Sequence, residues 1–127
     1  MALIVYPDMA LVSGLQSALT SKGFTAIVAR DLPTALLSIT QHYFEVAIVA
    51  STLQESGDGW PLAGVLHLVF PRAFVAVLDR VEPDILTLQS AINYGVREIY
   101  QQSTPAPDVV KSIISQVEAQ SGDVSVH

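Results

Sequence analysis

The chain alternates, five times over, between a short apolar run and a longer stretch with helical spacing. Leu3–Val5 is an apolar run closed by Pro7. Met9 to Lys22 then sets Leu11, Leu15, Ala18 and Leu19 on one helical face, with Gly23 as the stop. Phe24–Ala29, rich in β-branched residues, predicts a second strand. Asp31 is placed to cap a second helix that has Pro33 in its first turn and buries Ala35, Leu36 and Ile39. Val46–Ala50 is a third strand, and Thr52 to Gly59 a polar loop with Gly57-Asp58-Gly59 as turn chemistry. Pro61 opens a third helix and Pro71 ends it. Phe74–Leu78 is a fourth strand, and Pro83 starts a fourth helix carrying Ile85, Leu88 and Ile92, with Gly95 just past its end. Val96–Tyr100 is a shorter fifth strand. Beyond Pro105 and Pro107, Asp108 is placed to cap a last helix whose apolar stripe is Val109, Val110, Ile113, Ile114 and Val117.

The strands decide the class. In an antiparallel sheet with one wet face every second residue would be polar, yet Val46–Ala50 and Phe74–Leu78 are apolar throughout. Uniform runs alternating with helices point to a parallel sheet covered on both faces, with its functional site at the carboxyl ends of the strands. That rim is made by Tyr6-Pro7-Asp8, Ala50-Ser51, Leu78-Asp79-Arg80 and Gln101-Gln102-Ser103. The 127 residues suffice for one domain, expected over 1–119, with 120–127 as a tail or the start of a linker.

Composition removes several functions. Half the residues are hydrophobic, 14% are charged, and the formal net charge is −6. The six cations, Lys22, Arg30, Arg72, Arg80, Arg97 and Lys111, are scattered and form no basic stripe for a nucleic-acid backbone. With no cysteine there is no disulfide, thiolate nucleophile or Cys-based zinc site. The three histidines, His42, His67 and His127, share no ligand spacing. The longest apolar stretch, Leu62 to Phe70, falls well short of the ~20 residues of a membrane span. A cytoplasmic protein that binds neither nucleic acid nor membrane is expected.

Several segments together carry a family likeness. They are Leu3-Ile4-Val5 before the first loop, a helix ending in Gly23-Phe24, then Ala29, Ala35-Leu36, and Phe44-Glu45 leading into Val46–Val49. Further on stand Ala91-Ile92-Asn93-Tyr94-Gly95-Val96 and Pro107-Asp108-Val109-Val110. Over roughly residues 2 to 119 the chain resembles the receiver domain (CheY-like) of bacterial two-component response regulators. The resemblance implies a flavodoxin-like doubly wound sheet of five parallel strands, order 2-1-3-4-5, with five helices. It also implies a signalling role in which a partner kinase phosphorylates an aspartate held beside a divalent metal.

The positions that carry that chemistry are substituted. The family's acidic pair falls on Tyr6 and Pro7, its acceptor aspartate on Ala50, and its lysine on Gln102, with Ser103 where a proline would stand. The fourth-strand hydroxyl falls on Asp79, with Leu78 and Arg80 as the neighbouring alternatives, and the switch aromatic on Ile99, next to Tyr100. Ser51 is expected to point away from the pocket, because side chains alternate along a strand. Asp8, Asp58 and Asp79 read as helix cap, turn former and strand-end residue rather than as metal ligands. No catalytic residue, metal or cofactor is expected. The implied protein is a non-catalytic pseudo-receiver acting by phosphorylation-independent protein–protein contact. The alternative is a small-molecule sensor using a pocket of Tyr6, Pro7, Ala50 and Ile99.

Two surfaces then become interface candidates. The segment Trp60 to Phe70 is apolar nearly all round, so Leu62, Leu66 and Val69 are expected to meet a partner unless neighbouring loops cover them. Tyr94, Arg97, Tyr100 and Lys111 decorate the face of the fourth helix, fifth strand and last helix, the output and dimerisation surface that the resemblance implies. A protein partner is expected, with a second copy of the chain among the candidates.

Overall fold

In a computed structural model of the chain, described over residues 1–53, 58–80 and 83–126 and for side chains to residue 119, five strand–helix units build one sheet. The elements are β1 (Ala2–Val5), α1 (Met9–Ser21), β2 (Ala26–Ala29), α2 (Leu32–Gln41) and β3 (Val46–Ala50). After them come α3 (Trp60–Val69), β4 (Phe74–Asp79), α4 (Ile85–Asn93), β5 (Glu98–Gln101) and α5 (Ala106–Val126). The strand order is β2-β1-β3-β4-β5, and every pair is parallel. This is the order that the family resemblance implies.

The crossover from β1 to β2 runs one way along the sheet and those from β2 to β3, β3 to β4 and β4 to β5 run the other. With right-handed connections, α1 therefore covers one face and α2, α3 and α4 the other, and α5 packs beside α1. Close contacts agree, since a Cβ on Gly14 of α1 would stand 3.1 Å from that of Ala106, and one on Gly64 of α3 would strike the Tyr94 ring. The core is the uniformly apolar strand set, with all of β1 and β3 and Phe74 to Leu78 of β4 buried. Val12, Leu15, Leu19, Val109, Val110 and Ile113 close it on one side and Ala35, Ile39, Leu62 and Leu66 on the other.

Most predicted caps hold. Asp8 accepts from the Ala10 amide and Asp31 from that of Thr34, each satisfying an orphan amide at a helix start. Gly23 and Gly95 both adopt positive φ, at 88° and 72°, just beyond α1 and α4. Asp84, not Pro83, caps α4, through the Thr87 amide. The last helix begins two residues before Asp108: the Pro105 carbonyl accepts from the amides of Asp108 and Val109, leaving Asp108 inside the first turn. It also runs on to Val126, past Ser121, where the sequence suggests a frayed tail. The expected loop residues 54–57 and the terminal His127 lie outside the described residues.

Two burial expectations are reversed. Leu62 and Leu66 point into the core, so they are not interface residues; with Ala63 they form the inward stripe of α3. The large apolar side chains of that helix left in water are Leu68 and Val69, beside the exposed Pro61 and His67. On α2, Leu36 is exposed rather than buried, the inward stripe being Ala35, Ser38 and Ile39; on α4, Ile85, Leu88 and Ile92 face outward and only Ala91 is buried. Spacing alone defines a stripe but not which way the helix is rolled, and here the roll is set by Tyr94 seated on Gly64 and by Gly95 against the His67 ring.

Candidate functional site

The carboxyl rim is organised by the pairing register. Ala50 lies beside Leu78 and Asp79 beside Gln101 in the ladder. The ladder continues one step beyond β3, because the Ser51 amide donates to the Leu78 carbonyl at 2.9 Å. Neighbours in a parallel register share a face, so Ser51, Asp79 and Gln101 lie together on the side of α3 and α4. Ala50 and Leu78 share the opposite face with Tyr100, whose hydroxyl donates to Ser112 of α5 at 2.8 Å. Ser51 is therefore the β3-end residue that meets β4 in the cleft, which corrects the expectation, drawn from alternation, that it points away. The register of Asp79 is equally definite: Ser51 Oγ donates to its Oδ1 at 3.0 Å, and so does the Arg80 amide at 2.7 Å.

Around this pair lies an open hollow of about 380 Å³ lined by Ser51, Thr52, Asp58, Trp60 and Asp79. Its far wall is the start of α3. Asp58 Oδ1 accepts from the Trp60 amide at 2.9 Å, and the Gly59 amide donates to the Ser51 carbonyl at 3.0 Å. Backbone meets backbone so closely there that a Cβ on Gly59 would lie 1.9 Å from the Ala50 oxygen. Asp58 and Gly59 thus strap the loop onto the strand end. The Asp58 contribution was legible as turn chemistry; the Ser51–Asp79 bond, spanning 28 positions, had no sequence signal.

Tyr6 and Pro7 end β1 and offer no carboxylate. Tyr6 is buried; its hydroxyl is pushed to a higher pKa first by that burial, then by the nearby Asp8 charge, with Arg80 pulling the other way. Asp8 caps α1 and does not join the pair. Gln102 is half-buried, and its amide donates to the Asp79 carbonyl at 2.8 Å, so the backbone rather than the side chain ties it to the site. Among the described residues no three His, Cys, Asp or Glu side chains gather to hold a metal ion. Asp8, Asp58 and Asp79 each accept at Oδ1, from the Ala10 amide, from the Trp60 amide, and from Ser51 with the Arg80 amide respectively. The apolar pocket of Tyr6, Pro7, Ala50 and Ile99 is not what faces this hollow, since Tyr6 and Ala50 are packed into the core and the lining is largely polar.

Of the surface candidates, Trp60 borders the hollow and Val69 is half exposed on α3. Tyr94 is seated on Gly64 and Tyr100 is bonded to Ser112, so both rings are half-buried, while Arg97 and Lys111 are exposed. No described helix is long and apolar enough to cross a membrane.

No protein-family model matches the sequence, and no curated protein is similar to it in sequence. Solved structures are similar in fold. A CheY-like response regulator receiver domain from Methanospirillum hungatei superposes with a TM-score of 0.84 at 18% identity, over 96% of each chain. The chain has the CheY-like receiver fold. The receiver domain of NtrX from Brucella abortus is similar at a TM-score of 0.78 and 20% identity, covering 92% of this chain and 97% of its own. A response regulator from Burkholderia pseudomallei, solved with a phosphorylated aspartic acid, calcium ion and citrate, gives 0.78 at 20% identity, over 94% of this chain and 71% of its own. Within the receiver fold, the cleft beside Ser51 and Asp79 is where strand ends and loops meet, the position at which open parallel sheets place ligands.

Proposed function

We propose that the chain is a pseudo-receiver: a signalling module of two-component type that works by protein–protein contact and does not pass through a phosphorylated state. One observation carries this reading. The β3-end residue in the cleft is Ser51, and its hydroxyl is spent on Asp79, the carboxylate across the ladder. Phosphoryl transfer needs a free nucleophile, a metal to neutralise the incoming oxygens and a cation to hold the product. Here the strand end supplies a bonded serine, Tyr6 and Pro7 supply no metal ligand, and Gln102 supplies no charge. With the pair already joined, the cleft rests in one arrangement, and signalling falls to the surface.

Incubation of the chain with acetyl phosphate and magnesium, followed by intact-mass spectrometry, tests this directly. No phosphoryl increment is expected. A magnesium-dependent adduct on Ser51 or Asp79 would overturn the proposal. The sensor reading makes a separate prediction, namely stabilisation by a small molecule in a thermal-shift screen; no shift with nucleotides or quinones is expected, given the wide and polar opening.

A further inference from the structure

The two edges of the sheet are finished differently. β5 has Arg97 before it and Glu98 within it, charges of the kind that keep an edge from pairing. β2, at the opposite end of the strand order, has no such guard. Gly23 to Ala29 holds no charged residue and no proline, and the ladder with β1 runs from Ala26 to Ala29 without a bulge. Ala26, Ile27 and Val28 are only half-buried. The flanking bonds fix where the backbone groups of β2 point. The Thr25 and Ala29 carbonyls accept from the Ala2 and Tyr6 amides at 2.8 and 3.1 Å, so Thr25, Ile27 and Ala29 turn their backbone groups toward β1. The amides and carbonyls of Ala26 and Val28 then point away from the sheet, over an edge that no described strand covers.

We infer that β2 pairs antiparallel with β2 of a second copy, joining the two sheets edge to edge about a two-fold axis at Ile27. The inference rests on the contact-module reading and names its partner. It places the contact at the edge opposite the face of α4, β5 and α5 that the family resemblance implies. The register follows from the free groups. They sit on Ala26 and Val28, one residue to either side of Ile27, so Ala26 of each copy exchanges amide–carbonyl bonds with Val28 of the other. Ile27 meets its twin as the close, non-bonded pair between them, an apolar cross-strand contact. A segment that opposes itself in this way has the self-complementarity a two-fold contact requires. Charge also selects a like copy. The formal net charge is −6, yet the strand brings no like charges together. Charged residues begin only at Lys22 on one side and Arg30-Asp31 on the other, and antiparallel pairing gathers Lys22 of one copy with Arg30 and Asp31 of the other. Each Asp31 thus faces a cation rather than a second carboxylate. The contact is closed as well: it uses the β2 edge of both copies and leaves the guarded β5 edges outermost, so it stops at a dimer.

Sedimentation of the whole chain from ~1 μM to ~1 mM, with light scattering for mass, is the test. A reversible dimer is expected. Ala26→Pro removes an outward amide that bonds nothing within the monomer, so it should weaken association roughly 100-fold or more with the circular dichroism spectrum unchanged. Ile92→Asp, on the exposed side of α4, should leave the dimer intact. Amide hydrogen exchange supplies a readout that needs no variant. The Ala26 and Val28 amides should exchange roughly tenfold or more slowly in the dimer than in the monomer, while that of Ile27, turned toward β1, is slow in both. A wild-type chain that stays monomeric at the highest concentration overturns the inference. So does a dimer indifferent to Ala26→Pro, one lost with Ile92→Asp, one whose Ala26 and Val28 amides exchange as in the monomer, or an assembly larger than two. A monomeric chain that also takes no phosphoryl group would sink the pairing and leave the contact-module reading standing. A labelled chain would sink that reading instead.

Discussion

Replacing Gly59 by alanine isolates the contact that shapes the cleft. Gly59 has φ −86°, which alanine adopts freely, so the backbone dihedral costs nothing. The obstacle is space. The added methyl would sit 1.9 Å from the Ala50 oxygen, 3.1 Å from its carbonyl carbon and 3.2 Å from Val49 Cγ1. Ala50 is in the middle of the sheet, held by β1 and β4 on either side, so it is the loop that must retreat, by roughly an ångström and a half. Retreat breaks the bond from the Gly59 amide to the Ser51 carbonyl, which contributes about 1 kcal/mol. Staying in place forces an overpacked junction costing ~1–3 kcal/mol. Whichever response is cheaper sets the loss, so about 1–3 kcal/mol is expected. Urea unfolding followed by the fluorescence of Trp60, the only tryptophan and the next residue along, reports it. At a slope of about 1.5 kcal/mol/M the midpoint should fall by roughly 0.7–2 M. Gly23→Ala is the control: its surroundings are open and only its φ of 88° opposes a side chain, so about 1 kcal/mol is expected. A Gly59→Ala midpoint within about 0.3 M of the parent would refute the claim that the loop is strapped to the strand end.

Leu66→Ala, which empties a fully buried site under α3, should cost about 2–5 kcal/mol in the same assay, whereas Leu68→Ala two residues on should stay within about 0.5 kcal/mol. Tyr6 and Tyr100 have folded-state pKa values raised, mainly by burial, so the stability they contribute is full below the ordinary tyrosine range and is lost as pH climbs through the folded values. Tyrosinate absorbance and far-UV circular dichroism should then change together on the alkaline side. Asp31 and Asp84 are shifted the other way by accepting hydrogen bonds from Thr34 and Thr87. Their caps hold above the ordinary aspartate range and fail as pH drops through the lowered values, so Asp31→Asn and Asp84→Asn should blunt the acid limb of a thermal-stability profile.

The fold was legible because parallel sheets have an unambiguous text. Strands buried on both faces must be apolar at every position, as Val46–Ala50 and Phe74–Leu78 are, and the caps at Asp8 and Asp31 are local chemistry written within a few residues. The sequence by itself determined the class, and the absence of carboxylates at Tyr6 and Pro7 and of a lysine at Gln102, while the strand order came with the family resemblance. Tertiary structure decided which way each element faces. Ser51 rather than Ala50 meets Asp79, because facing is set by a ladder register between residues 28 positions apart, and a one-residue slip reverses every side chain. Leu66 is core and Ile92 is surface although each belongs to an apolar stripe at helical spacing. The roll of a helix is chosen by what it packs against, here Tyr94 on Gly64 and Gly95 on His67, and no local pattern contains that information.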